Sequence, residues 1–204
     1  MNAGDPDLMG EVDEIIGENP HRDFLRSSVK RSVMFAHAEG DPYETLGMTR
    51  FGGMPDLPPD MDYPYFVRAS GNKSYPYEFI GQIDCASIAH LQSYLPREGV
   101  LFFFFESQSS FERGIAEETP THCKVIHLPS VENLATGKRF RLKEEDYECM
   151  YGGDEYEANK VVARVGNSAP SFYAWDANGY LLKDSGISID EDEDVLDELD
   201  EIFS

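Results

Sequence analysis

The sequence predicts an α+β fold: a core of mostly β sheet with a few short helices, preceded by a helical N-terminal segment and followed by an acidic C-terminal helix. Three observations carry this prediction. The run Val100 to Phe105 is apolar on both faces, which marks a central strand covered from above and below. Phe79 to Ile83, Cys123 to Leu128 and Lys160 to Val165 are further strand-like runs. Helical spacing of apolar residues marks both ends of the chain.

The elements follow in order. Asp5 can cap a helix with Pro6 in its first turn, and Leu8, Met9, Val12, Ile15 and Ile16 form one stripe that Gly17 ends. Asn19-Pro20 offers a second helix start, with Phe24 and Leu25 as its apolar contact. Ser28 to His37 reads as a strand with Val29, Val33 and Phe35 on one face, and His37 there reads as a hydrogen-bonded core-edge residue. Asp84 can cap a helix running through Ser93, with Ile88, Leu91 and Leu95 on one side. Phe172 to Leu182 reads as a hairpin around Asn178-Gly179, anchored by Tyr173 and Trp175. Val195, Leu196, Leu199, Ile202 and Phe203 give the last helix its apolar spacing, and Asp190 to Asp194 place acid at its positive end. The chain thus divides into 1–45, a helical segment and first strand; 46–183, the α+β core; and 184–204, the acidic tail helix.

The densest backbone constraint lies in Phe51 to Pro64. Gly52 and Gly53 admit positive φ, while Pro55, Pro58, Pro59 and Pro64 fix φ and push their predecessors toward extended conformations. Met54, Leu57, Met61, Tyr63, Tyr65 and Phe66 supply the apolar groups that pin such a loop to a core. The segment therefore reads as a rigid loop, either a structural turn or a recognition surface. Arg50-Phe-Gly-Gly-Met-Pro-Asp-Leu-Pro58, Met61-Asp-Tyr-Pro64, Phe79-Ile-Gly-Gln-Ile-Asp84 and Leu95-Pro-Arg-Glu-Gly-Val-Leu-Phe-Phe103 together resemble the first half of a YwqG-like (DUF1963) domain, from about Val29 to about Val131. Glu132 to Ser204 shows no clear counterpart of that domain's second half. The resemblance implies an α+β fold and no established catalytic residue set.

With 17 basic and 39 acidic residues, the net charge is −22. Such a field repels nucleic acid and anionic membrane and attracts basic proteins. No apolar run approaches a membrane span or a signal peptide, so a cytoplasmic location is expected. Cys85, Cys123 and Cys149 read as reduced thiols. Asp190, Asp192, Asp194 and Glu201 imitate a calcium loop, but Val195 stands where that loop needs glycine. On a strand Cys123 and His127 share a face and His122 points away, so these three do not clasp one ion unaided. No metal, cofactor or catalytic residue is therefore expected.

Two function classes follow. In the first, the protein is a non-enzymatic binder of a basic protein partner, most concretely an immunity protein that occludes a basic bacterial toxin such as a nuclease. Its partner-binding residues would be Asp56, Asp60, Asp62 and Tyr63 on the loop and Asp190, Glu191, Asp192, Glu193 and Asp194 in the tail. In the second, it is an enzyme or small-ligand protein with a pocket beside Gly52 and Gly53.

Overall fold

A computed structural model describes residues 8–67, 74–106, 123–135 and 156–168, together with Asp194 and Asp197. The strands are β1 (Lys30–His37), β2 (Arg50–Phe51), β3 (Tyr65–Val67), β4 (Ser74–Pro76), β5 (Glu78–Asp84), β6 (Val100–Phe105), β7 (Cys123–Leu128) and β8 (Asn159–Ser168). The helices are α1 (Leu8–Ile16), α2 (Arg22–Ser28), α3 (Cys85–Ile88) and α4 (Glu132–Ala135). A mostly sheet content with a few short helices gives the expected α+β class. The chain forms two compact units, one of Met1–Phe35 with Ala163–Ser204, the other Ala36–Val162.

In the first unit, α1 buries Val12 and Ile16, and α2 buries Leu25. Gly17 ends α1 as predicted, at φ 50° with its N–H on the Asp13 carbonyl. Asp13 also accepts from Arg22 and Arg26, joining the two helices through a half-exposed ion pair of small energetic weight. Ser28 closes α2 instead of opening the strand, which begins at Lys30. The Ser28 hydroxyl bonds back to the Phe24 carbonyl and so completes the helical turn.

In the second unit, the strand order is β8-β2-β5-β6-β7, antiparallel at every described pairing. β6 lies between β5 and β7, which confirms Val100 to Phe105 as an interior strand. Its two faces differ in depth. Val100, Phe102 and Phe104 are 0, 0 and 2% exposed, whereas on the other face Leu101 is buried and Phe103 and Phe105 are half-buried. Leu57, Tyr63, Tyr77, Phe79 and Leu134 complete the core on the Phe102 face. Tyr63 and Phe79 meet the Phe104 ring at centroid distances of 5.6 and 5.5 Å, the edge and tilted geometries that aromatic quadrupoles favour. A register shift between Phe79 and Gly81 places Phe79 beside Phe104 on this side. Separately, β3 and β4 form a two-stranded antiparallel sheet.

Two sequence expectations are corrected here. The Asp84 cap is present, accepting from the Ala86 N–H at 3.0 Å, but α3 stops at Ile88 and does not reach Ser93. Beyond it the chain turns through i to i−3 bonds, Leu91 N–H to Ile88 among them, and the Gln92 side chain captures the Tyr94 and Leu95 N–H groups that a longer helix would have used. His37 ends β1 exposed and is not a core-edge residue. The 172–182 hairpin, the Asp5-Pro6 start and most of the acidic tail lie outside the described residues. Asp194 and Asp197 are helical and exposed.

Candidate functional site

The rigid loop is confirmed, and its rigidity has a specific origin. Gly52 and Gly53 adopt φ 71° and 70°, the left-handed region that side chains resist. Their N–H groups bond to the carbonyls of Ile80 and Tyr156 at 2.8 and 2.6 Å. A Cβ on Gly52 would lie 2.1 Å from the Glu157 carbonyl oxygen, and one on Gly53 would lie 2.0 Å from the Tyr43 hydroxyl. Replacing Gly52 by Val thus adds a backbone clash to an unfavourable φ, with an expected loss of at least about 2 kcal/mol in urea denaturation.

Beyond the glycines the loop turns inward. Pro55, Asp56, Leu57 and Pro58 are buried, and Asp56 is held by a three-donor clamp. Asp56 Oδ2 accepts from the Gly47 N–H at 2.7 Å, Arg50 Nη1 at 2.8 Å and Gln82 Nε2 at 2.9 Å. Gln82 returns a bond, its Oε1 accepting from the Asp56 N–H at 3.1 Å, and its Nε2 also reaches the Met48 carbonyl at 3.0 Å. Arg50 donates further to the Met54 carbonyl and stacks 4.8 Å from the centroid of Tyr43, whose hydroxyl accepts the Met54 N–H at 3.0 Å. Both side chains of the Arg50–Asp56 pair are fully buried.

Electrostatics follow from that burial. Desolvation alone would push the Asp56 carboxyl up, but the Arg50 guanidinium and the Gly47 and Gln82 donors outweigh it and hold the group below the ordinary value of 3.8. A depressed folded-state pKa adds stability that is complete above the unfolded value and lost as pH falls through the folded one. Stability relative to an Asp56→Asn variant is therefore expected to shrink as pH drops below about 3.8, measured by denaturant melts across the acid range.

Of the loop's apolar pins, Tyr65 is exposed and does not pin the loop, Met54, Met61 and Phe66 are half-buried, and Leu57 and Tyr63 are buried, Tyr63 donating to the Tyr77 carbonyl at 2.8 Å. This corrects two proposed partner-binding residues. Asp56 and Tyr63 are 1 and 5% exposed and spend their polar atoms inside the fold, so neither presents a contact surface. Asp60 and Asp62 are exposed at the loop's outer turn, as is Asp194. Asp190, Glu191, Asp192 and Glu193 lie outside the described residues. At Gly52 and Gly53 themselves, the Tyr156 and Glu157 backbone, the Tyr43 hydroxyl and the Ala158 side chain take the space where a Cβ would stand.

A cleft of about 570 Å³ opens elsewhere, between the Thr45–Met48 turn, the Asp84 cap, Glu98-Gly99 and Pro129–Glu132. Gly47, whose N–H is fixed by Asp56, lies in its wall. On β7, His127 Nε2 donates to the Glu98 carbonyl at 3.0 Å, and Cys123 is exposed. His122 and Cys149 lie outside the described residues. Burial first and Asp84 second push the Cys85 thiol up, which keeps it protonated. Among the described residues, no three His, Cys, Asp or Glu side chains group as metal ligands, and no helix is long and apolar enough to cross a membrane.

Arg50 and Gln82 are the site residues that a search for exposed acids passes over. Both stand inside the motif blocks, Arg50 heading the glycine-proline run and Gln82 in Phe79-Ile-Gly-Gln-Ile-Asp84. Joined by Asp56, they make this an α+β sheet domain whose glycine-proline loop is locked to neighbouring strands by a buried carboxylate. The family model for a domain of unknown function, DUF1963, matches residues 49–201, and the chain belongs to this family. The match continues well beyond Val131, into the stretch where the motif blocks fade. A comparison with curated proteins finds no match.

Proposed function

We propose that this chain is a non-enzymatic binding protein that neutralises a basic partner, in its most concrete form an immunity protein occluding a basic bacterial toxin such as a nuclease. The observation that carries the reading is the net charge of −22 on a fold that holds one loop rigid. Carboxylates fixed on a pre-ordered surface bind a cationic cleft with little ordering cost and steer its approach. The clamp anchors the inner side of the loop, while Asp60 and Asp62 project from its outer turn.

The test is kinetic. With a basic protein captured from the native host or encoded beside this gene, association should be fast at low salt. It should slow steeply as the Debye length falls from about 30 Å at 0.01 M to about 8 Å at 0.15 M, with dissociation changing less. Asp60→Asn with Asp62→Asn should lower the on-rate severalfold and leave the melting temperature unchanged. An unaltered on-rate removes the loop from the interface. Capture of no basic protein, with tight binding or turnover of a small molecule instead, overturns the reading.

A further inference from the structure

The cleft of about 570 Å³ has the volume of a ligand site and a lining divided by chemistry. Leu46, Met48 and Val131 give it apolar walls, and Asp84, Glu98 and Glu132 give it three carboxylates. No Lys, Arg or His side chain among the described residues lines it. Among the described residues, no hydrogen bond or ion pair holds the carboxylates of Glu98 and Glu132. Val131 is 47% exposed, a large apolar side chain left in water at the mouth. Apolar wall and acidic rim complement one kind of side chain above others: the long aliphatic stem with a cationic head that Lys and Arg carry. Nucleic acid and anionic lipid are repelled by the same charge.

We propose that this cleft docks a short basic, partly apolar segment of a protein partner, its Lys or Arg stems against Leu46, Met48 and Val131 and its charged heads at Glu98, Glu132 and Asp84. This assignment deepens the binding reading above and rests on it. The floor is pre-formed, because Gly47 lies so close to the core that an added Cβ would come within 3.3 Å of the Leu134 and Val100 side chains, and its N–H is held by Asp56. A partner segment therefore meets a cleft wall that is already ordered, with little entropy left to lose on binding.

The probe is an amidated peptide of alternating leucine and arginine, titrated into the isotope-labelled protein and followed by amide chemical shifts, with a leucine–glutamate peptide as control. Shifts should concentrate on Gly47, Gly99 and Val131, and the control should move none of them. The double substitution Glu98→Gln/Glu132→Gln should weaken binding about tenfold. Glu14→Gln/Glu18→Gln, which removes the same charge from exposed positions of the α1 region, should change it by less than about twofold. Shifts spread over the whole acidic surface, equal weakening by both pairs, or silence at the cleft would each overturn the proposal. Its failure is separable from that of the wider reading: a captured basic protein that binds Glu98→Gln/Glu132→Gln at full strength removes the cleft and leaves the binding function standing.

Discussion

Asp56→Ala is expected to destabilise the protein by about 3 to 5 kcal/mol, because it strands a fully buried guanidinium without its counter-charge. Against a total stability of about 5 to 15 kcal/mol, that is about a fifth or more of what holds the fold. The loss has several parts. The Gly47 N–H and Gln82 Nε2 each lose an acceptor in the same step, and buried donors left unmade are costly. Arg50→Met on its own should also destabilise, by removing the cation from Asp56 and the stack on Tyr43. The double variant should cost less than the two single losses added together, by about 1 to 3 kcal/mol, since neither charge is then left alone. Strict additivity in urea melts would show that the pair is not coupled and that the clamp geometry is wrong.

Phe102→Ala is the second large effect, with about 3 to 5 kcal/mol expected from the cavity it opens in the aromatic core. Phe103→Ala, on the half-buried face of the same strand, should cost clearly less. The same ranking should hold for Asp at the two positions. A charge at Phe102 has no water within reach, while one at Phe103 reaches solvent at the half-exposed face. Equal melting temperatures for the two alanine variants would contradict the assignment of faces along β6.

β6 was legible because six consecutive apolar residues admit few other placements, and the structure adds only which face is deeper. β7 was equally plain, its bounds at Cys123 and Leu128 agreeing with the sequence reading. The overlong helix after Asp84 has a physical explanation. Leu91 and Leu95 do repeat at helical spacing, but Gln92 competes for the backbone donors, and single-residue competition of this kind leaves no periodicity to read. The buried clamp was half legible. Its glycines and prolines announced a fixed loop, yet Asp56 reads as an exposed acid, since unpaired carboxylates seldom lie inside. The missing clue was spatial: Gln82 stands 26 positions away and comes beside Asp56 only when β2 pairs with β5.

That separation sets an order of events in folding. The Arg50 to Gln82 register must form before Asp56 can find all its donors, and the loop between them must close against its own entropy first. Clamp contacts are therefore expected to form late in folding, after β2 and β5 have paired, an order that folding and unfolding rates of Asp56→Asn would test. Interactions made late govern how slowly a protein comes apart more than how quickly it assembles. Asp56 acts as a latch on the native state: weakening it should steepen the loss of protein over hours while leaving the refolding rate nearly untouched.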